Sequence, residues 1–260
     1  KQIPCKMKTY IILLSVVCTH FLFSQPLFSQ ESTVTNRMNW TLRDKRSDSL
    51  FDQPIRLPED KSDNRMILAP TGRTIKQGQV QIAAMVVIPF LALPTVHVGI
   101  TDYINVGVGI SVPVGLYYFA PKVRFLKTEA ISMSAGMLWC PKQESSSFES
   151  FSIAYIASSI GNQDASLNIG VGYNFTEDLF DKKPIVQVGG DVRLGKGFKL
   201  ISENWVIVGE AIPILSAGFR AFYDFINFDL LAVFVPSKDF PLPFYPIASI
   251  GFNFDVLQKK

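Results

Sequence analysis

Charge is scarce in this sequence. Asp, Glu, Lys and Arg make up 18% of the 260 residues, against roughly 25% in an ordinary soluble domain. Hydrophobic residues make up 48%. A disordered chain would be polar and highly charged, so that class is excluded. Cysteine is scarcer still, and three residues cannot build a disulfide scaffold. Of two histidines, only His97 lies beyond the first thirty residues, which excludes a multi-histidine metal site. The formal net charge of +3 is too small to argue for nucleic acid. A convincing spanning helix is also missing, since such a helix needs roughly 20 apolar residues in a row. Ile82–Ile100 comes nearest, with 19 residues free of Asp, Glu, Lys and Arg, but it contains Pro89 and Pro94. Two prolines would damage a helix, and two strands joined at Pro89–Pro94 explain the segment better.

What is present falls into three materials. Met7-Lys8 is followed by the apolar run Ile11-Ile12-Leu13-Leu14-Ser15-Val16-Val17-Cys18 and by Phe21-Leu22-Phe23. A basic start and a short apolar core describe a secretory signal peptide over residues 1–29, with Met7 as a natural start and cleavage after Ser24 or Ser29. The run is too short for an anchor helix. Bulky Val17 argues against Cys18 as a lipidation site. Export removes Cys5 and Cys18 with the leader, and leaves Cys140 as a small packing residue rather than a nucleophile. Residues 31–66 then hold 14 charged residues in 36, against 30 in 194 from Ile67 to Lys260. Runs such as Arg43-Asp44-Lys45-Arg46 and Glu59-Asp60-Lys61 bury little apolar surface. Residues 30–66 therefore read as a flexible periplasmic lead-in, with a domain boundary near residue 66.

From residue 67 onward the chain alternates with period two. Ala165, Leu167, Ile169, Val171, Tyr173 and Phe175 interleave with Ser166, Asn168, Gly170, Gly172 and Asn174. Successive strand side chains face opposite ways, so one face is apolar and the other polar or small. Ile104–Val112, Ile131–Trp139 and Ala248–Val256 repeat the pattern, whereas residues 198–209 follow it poorly. Twelve strands are predicted, over 77–88, 94–101, 103–112, 114–127, 130–140, 150–160, 165–175, 184–194, 198–209, 212–224, 226–235 and 244–256. Each is close to the roughly ten residues that a tilted strand needs to cross a bilayer. The three longest connections, 141–149, 176–183 and 236–243, fall at one end, as in barrels with short periplasmic turns and longer outside loops. Tyr117, Tyr118, Phe119, Trp139, Tyr173, Phe175, Tyr223, Phe225, Phe244 and Tyr245 suit interfacial girdles. A soluble sandwich would carry more charge on its wet face. The expected fold is an all-β, transmembrane, antiparallel up-and-down β-barrel of about twelve strands over residues 67–260.

Several motifs carry a resemblance. Ala69-Pro70-Thr71-Gly72-Arg73-Thr74-Ile75-Lys76-Gln77-Gly78 opens the barrel. His97-Val98-Gly99-Ile100-Thr101-Asp102 follows, then Pro121-Lys122-Val123-Arg124-Phe125, Gly170-Val171-Gly172-Tyr173 and Leu200-Ile201-Ser202-Glu203-Asn204-Trp205. Together these resemble a group of uncharacterised outer-membrane β-barrel proteins of Gram-negative bacteria, over roughly residues 66–256. The resemblance implies a barrel in that membrane but no catalytic residues. Phe252 and Phe254 look like a terminal assembly signal, although the chain ends Val256-Leu257-Gln258-Lys259-Lys260.

Parity assigns the inward candidates. His97 shares a face with Thr95 and Gly99. Outer-membrane lipases and proteases mount such a histidine beside Ser or Asp, but Gly99 stands where the phospholipase pattern has serine. Gln187, Asp191, Arg193, Arg220, Asp224, Asp229 and Asp255 also point inward. Their mixed charges either pair into a plug-like network or line a constriction. Glu203, Asn204 and Glu210 sit in the poorly alternating region and could join them. Gly107-Val108-Gly109 and Gly170-Val171-Gly172 lack a following helix or Lys, so they are not phosphate loops. Inward glycines relieve crowding instead. The expectation is a narrow pore or solute channel, with a closed structural or binding barrel and a His97-centred lipid enzyme as alternatives. No catalytic set, metal or cofactor is expected. The expected partners are outer-membrane lipid and the barrel-assembly machinery, without nucleic acid.

Overall fold

Alternation with a period of two dictates strands, and the strands close on one another. The structure is a computed structural model describing residues 58–87, 91–112, 115–141, 150–174, 183–209, 213–236 and 244–256. The leader and the lead-in up to residue 57 lie outside the described residues. Twelve strands follow in order: β1 (Gln79–Val87), β2 (Leu91–Gly99), β3 (Ile104–Ser111), β4 (Leu116–Lys127), β5 (Ile131–Cys140), β6 (Phe151–Gly161), β7 (Ala165–Asn174), β8 (Pro184–Gly195), β9 (Phe198–Ile207), β10 (Leu215–Tyr223), β11 (Ile226–Phe234) and β12 (Phe244–Asp255). Each pairs antiparallel with its neighbours, and β1 pairs with β12 to close the barrel. The connections after β2, β4, β6, β8 and β10 are all short, and they define the near end. The longest connections, after β5, β7 and β11, lie at the far end.

The outward face is apolar, with Ile82, Val96, Val98, Val108, Leu167, Ile169, Val171, Leu230 and Ile250 all exposed. Bilayer hydrocarbon is the solvent such a face requires, and closure leaves no unpaired strand edge within it. Tyr117, Phe119, Trp139, Tyr173, Tyr223, Phe225 and Phe244 are exposed near strand ends, as girdle residues should be. Tyr245 does not join them, because its parity turns it inward, 2% exposed. Tyr118 also points inward, beside a lumen cavity. Phe175 lies outside the described residues.

Two features depart from the sequence expectation. Pro94 is not in a turn but within β2, opposite Ala84 of β1. Ala92 exchanges both backbone bonds with Val112, so the two-residue period points Pro94 at β3 as well. The β2–β3 ladder is broken there and resumes at Thr95, which accommodates the missing N–H. The second departure is in the lumen, which changes character along its length. Near-end inward residues are polar, as with Gln79 and Gln81 on β1 and Asn227 and Asp229 on β11. Far-end inward residues on the same strands are apolar, including Met85, Val87, Leu231 and Val233. Both faces are therefore apolar at the far end of β1 and β2, which is why Ile82–Ile100 carries no charge.

The inward glycines have a specific task. A Cβ on Gly107 would sit 2.3 Å from the His97 ring, and one on Gly109 would sit 2.4 Å from the Tyr118 ring. A Cβ on Gly136 would meet the Tyr155 phenol at 2.4 Å and the Pro121 carbonyl oxygen at 2.8 Å. Bulky inward rings thus lie flat on neighbouring strands. Gly136→Ala is expected to cost about 1–3 kcal/mol, since a backbone carbonyl cannot step aside. The check is the temperature at which the folded barrel loses its altered gel migration. An unchanged temperature would refute this account of the glycine.

Candidate functional site

A segment before β1 fills the lumen. Pro58–Met66, placed by their charge in the polar lead-in, lie inside the barrel instead. Asp60, Ser62, Asp63, Asn64 and Arg65 are all buried. A charge-rich stretch cannot bury itself in an apolar core, but this one is matched by charges and polar groups on the lumen wall. The chain rises from the near end to a turn at Met66–Ala69, then descends to β1. The Met66 N–H donates to the Ala69 carbonyl at 2.9 Å, and an antiparallel bridge joins Arg65 and Pro70. We call this hairpin the finger.

The finger's tip is held by Glu203 of β9, which is fully buried. The Ile67 and Leu68 N–H groups donate to Glu203 Oε2 at 2.7 and 2.9 Å. The Ala69 N–H donates to Oε1 at 2.9 Å. A tight turn aims successive N–H groups the same way, forming a nest for one carboxylate. Beyond the tip, Met66, Ile67 and Ala69 join the apolar far-end cluster.

The rising arm is held by two cations. Arg220 of β10 donates from Nε to Asp229 at 2.7 Å and from Nη1 to the Ser62 and Arg65 carbonyls at 3.0 and 3.3 Å. It also reaches Asp60 at 3.3 Å and bonds the Met66 carbonyl. Lys199 of β9 sits among Asp60, Asp191 and Asp63 at 3.0, 3.2 and 3.4 Å. Buried charges persist only when paired in this way. The descending arm is held by hydroxyls. Ser132 and Ser134 donate to the Gly72 and Thr71 carbonyls at 2.8 and 2.9 Å, and the Gly72 N–H donates to Ser159 at 2.8 Å. Arg73 ties the arms together through Asp63 at 2.8 Å.

Most sequence candidates meet at this interface. Arg220, Asp229 and Asp191 form its charged centre. Gln187 is buried, with its amide against the Met66 sulfur at 3.4 Å. Arg193 pairs with Asp164 at 2.6 Å and donates to the Pro58 carbonyl at 3.1 Å, where the finger enters. Asp255 pairs with Lys61 at 2.6 Å at the near rim. Asp224 is a correction: it is exposed in the turn after β10, with φ at 46°. Parity puts it inward only if the strand continues, and β10 ends at Tyr223. His97 does face the lumen, against Gly107, but no serine or carboxylate bonds it among the described residues. Asn204 is buried and accepts from Ser202 at 3.2 Å. Glu210 lies outside the described residues. Lys122, Lys199 and the wall serines are absent from the sequence candidates, although strand parity alone turns all of them inward. Among the described residues no group of metal-binding side chains occurs.

Fold and site together define a transmembrane barrel plugged by its own chain. Neither a family model nor a curated protein sequence matches it. Among solved structures it is similar to the KdgM porin, with a TM-score of 0.50 and 9% identity over 68% of this chain and 98% of that one. It is likewise similar to the KdgM porin in complex with disordered oligogalacturonate, with a TM-score of 0.51 at the same identity and coverage. A likeness to OccAB4 of Acinetobacter baumannii has a TM-score of 0.37 at 6% identity, over 66% of this chain and 56% of that one, and is too loose to bear on the fold. The KdgM likeness concerns fold alone: a closed antiparallel up-and-down barrel. The resemblance read from the motifs is upheld at that level.

Proposed function

We propose that the protein is a porin-like solute channel of the Gram-negative outer membrane whose path is stoppered by its own finger. The observation that supports this reading is how the lumen is closed. Side chains alone just fill a barrel of about eight strands. A closed barrel of twelve leaves room, and the finger occupies it. Around its arms the contacts are ion pairs and hydrogen bonds, which water can replace when the finger withdraws. Short turns mark the periplasmic side of such barrels, so the finger enters from the periplasm. Lipid covers the outward face, and the barrel-assembly machinery inserts the chain and closes β12 on β1.

Planar-bilayer recording tests the channel. The intact chain is expected to be quiet, and a variant lacking residues 60–72 to give stable conductance steps. Heat-modifiable migration establishes that the variant has folded. The apolar far half of the lumen favours a second reading, a permanently closed barrel that acts through its far-end connections. That reading prevails if the folded variant without the finger stays silent.

A further inference from the structure

Between the finger and the inner wall of β1–β6 lies a cavity of about 170 Å³. The polar residues around it are unusual. Arg65, 8% exposed, spends one Nη1 bond on the Ile67 carbonyl at 3.3 Å. Its Nε and Nη2 atoms are buried without a hydrogen-bond partner among the described residues. Those two atoms form the side-on edge of a guanidinium, the edge that grips a carboxylate with two parallel bonds. Lys122, also buried, lines the same cavity and donates to the Asn64 carbonyl at 2.8 Å. Neither cation has an ion pair among the described residues, and no Asp or Glu lines the space. His97 and Ser111 also line it, and their Nδ1 and Oγ atoms likewise lack partners among the described residues. The remaining wall includes Met85, Leu93, Leu116 and Leu138.

A buried guanidinium edge costs free energy unless something occupies it. The cations around the rest of the finger show the rule, because Arg220 and Lys199 of the wall and Arg73 of the finger all meet carboxylates. We infer that this cavity is a binding site for a small organic monoanion, a carboxylate on a compact apolar body. The carboxylate takes the free edge of Arg65, with Lys122 close by, and the body lies against the apolar wall. Size agrees, since an apolar cavity of about 150 Å³ accepts benzene. Asn64, Arg65, Ile67 and Leu68 of the finger form one side, so the site exists only while the finger is seated. By mass action, its ligand stabilises the seated state.

Calorimetric titration of the folded, full-length protein in detergent tests this with sodium benzoate and its neutral counterpart, benzyl alcohol. Benzoate is expected to bind at one saturable site, at least tenfold tighter than benzyl alcohol. Arg65→Lys keeps a positive charge but loses the paired edge, and is expected to weaken benzoate at least tenfold while leaving benzyl alcohol unchanged. Equal binding of the two compounds would reduce the site to an apolar void and overturn the inference. So would the absence of saturable benzoate binding, or an unchanged benzoate affinity in Arg65→Lys. Sodium acetate binding as tightly as benzoate would remove the apolar body from the proposal. The comparison of ligands needs no variant to fold. It also needs no conductance, so its failure leaves the channel reading standing, and a silent barrel leaves this site standing.

Discussion

Arg220→Met is expected to unseat the finger and lower the stability of the folded barrel by about 3–5 kcal/mol, the usual cost of removing one partner from a buried ion pair. The side chain is 2% exposed and bridges Asp229 to the finger's Asp60 and to its carbonyl groups. Methionine fills much of the volume but leaves Asp229 buried without its ion-pair partner. Limited proteolysis should then cut within residues 58–78, which the intact protein protects, and bilayer recording should show openings. Combining Asp229→Asn with Arg220→Met should recover part of the loss, because the stranded charge is gone. If Arg220→Met melts like the parent and its finger resists protease, the centre of the plug has been misread.

The second large effect belongs to Glu203. Glu203→Ala removes the acceptor from the N–H groups of Ile67, Leu68 and Ala69. Hydrogen bonds to a charged group are each worth about 1.5–3 kcal/mol, and buried donors left without an acceptor are costly. A net loss of about 3 kcal/mol is expected at the tip, with a smaller loss for Glu203→Gln. Amide hydrogen exchange provides the measurement. Residues 67–69 should exchange faster, while the Gly72 amide, held by Ser159, stays protected. Uniform acceleration along the whole finger would mean that Glu203 is a global clamp and that the tip is not held locally.

Much of the barrel is legible in the sequence, because a period of two needs no partner to be read. The predicted strands agree with the observed ones to within three residues at every end. Even the poorly alternating stretch is β9, where Lys199, Ile201, Glu203, Trp205 and Ile207 form the inward set. It reads badly because that set mixes charge with apolar bulk as the lumen changes character. The finger was not legible, since composition says what a segment cannot bury alone but not what waits for it elsewhere. Asp60 and Asp63 look like solvated charge until Lys199 and Arg220 stand opposite them. The wall cations were visible by parity, but nothing in their own strands announced that their partners come from far outside those strands. Asp224 failed for a simpler reason: parity holds only as far as the strand does.

The hydroxyl of Ser62 bears on how the barrel is held closed. It accepts from Gln81 of β1 at 2.6 Å and from Asn253 of β12 at 3.2 Å, and donates to Asn227 of β11 at 2.7 Å. Gln81 and Asn253 flank the closing seam, 172 residues apart in the chain. Bringing such distant strands together costs on the order of 4–5 kcal/mol of chain entropy. The finger is covalently continuous with β1, so it lies beside one lip of that seam. A small polar contact inside the lumen thus bridges the first and last strands, and the plug and the join share one fastening.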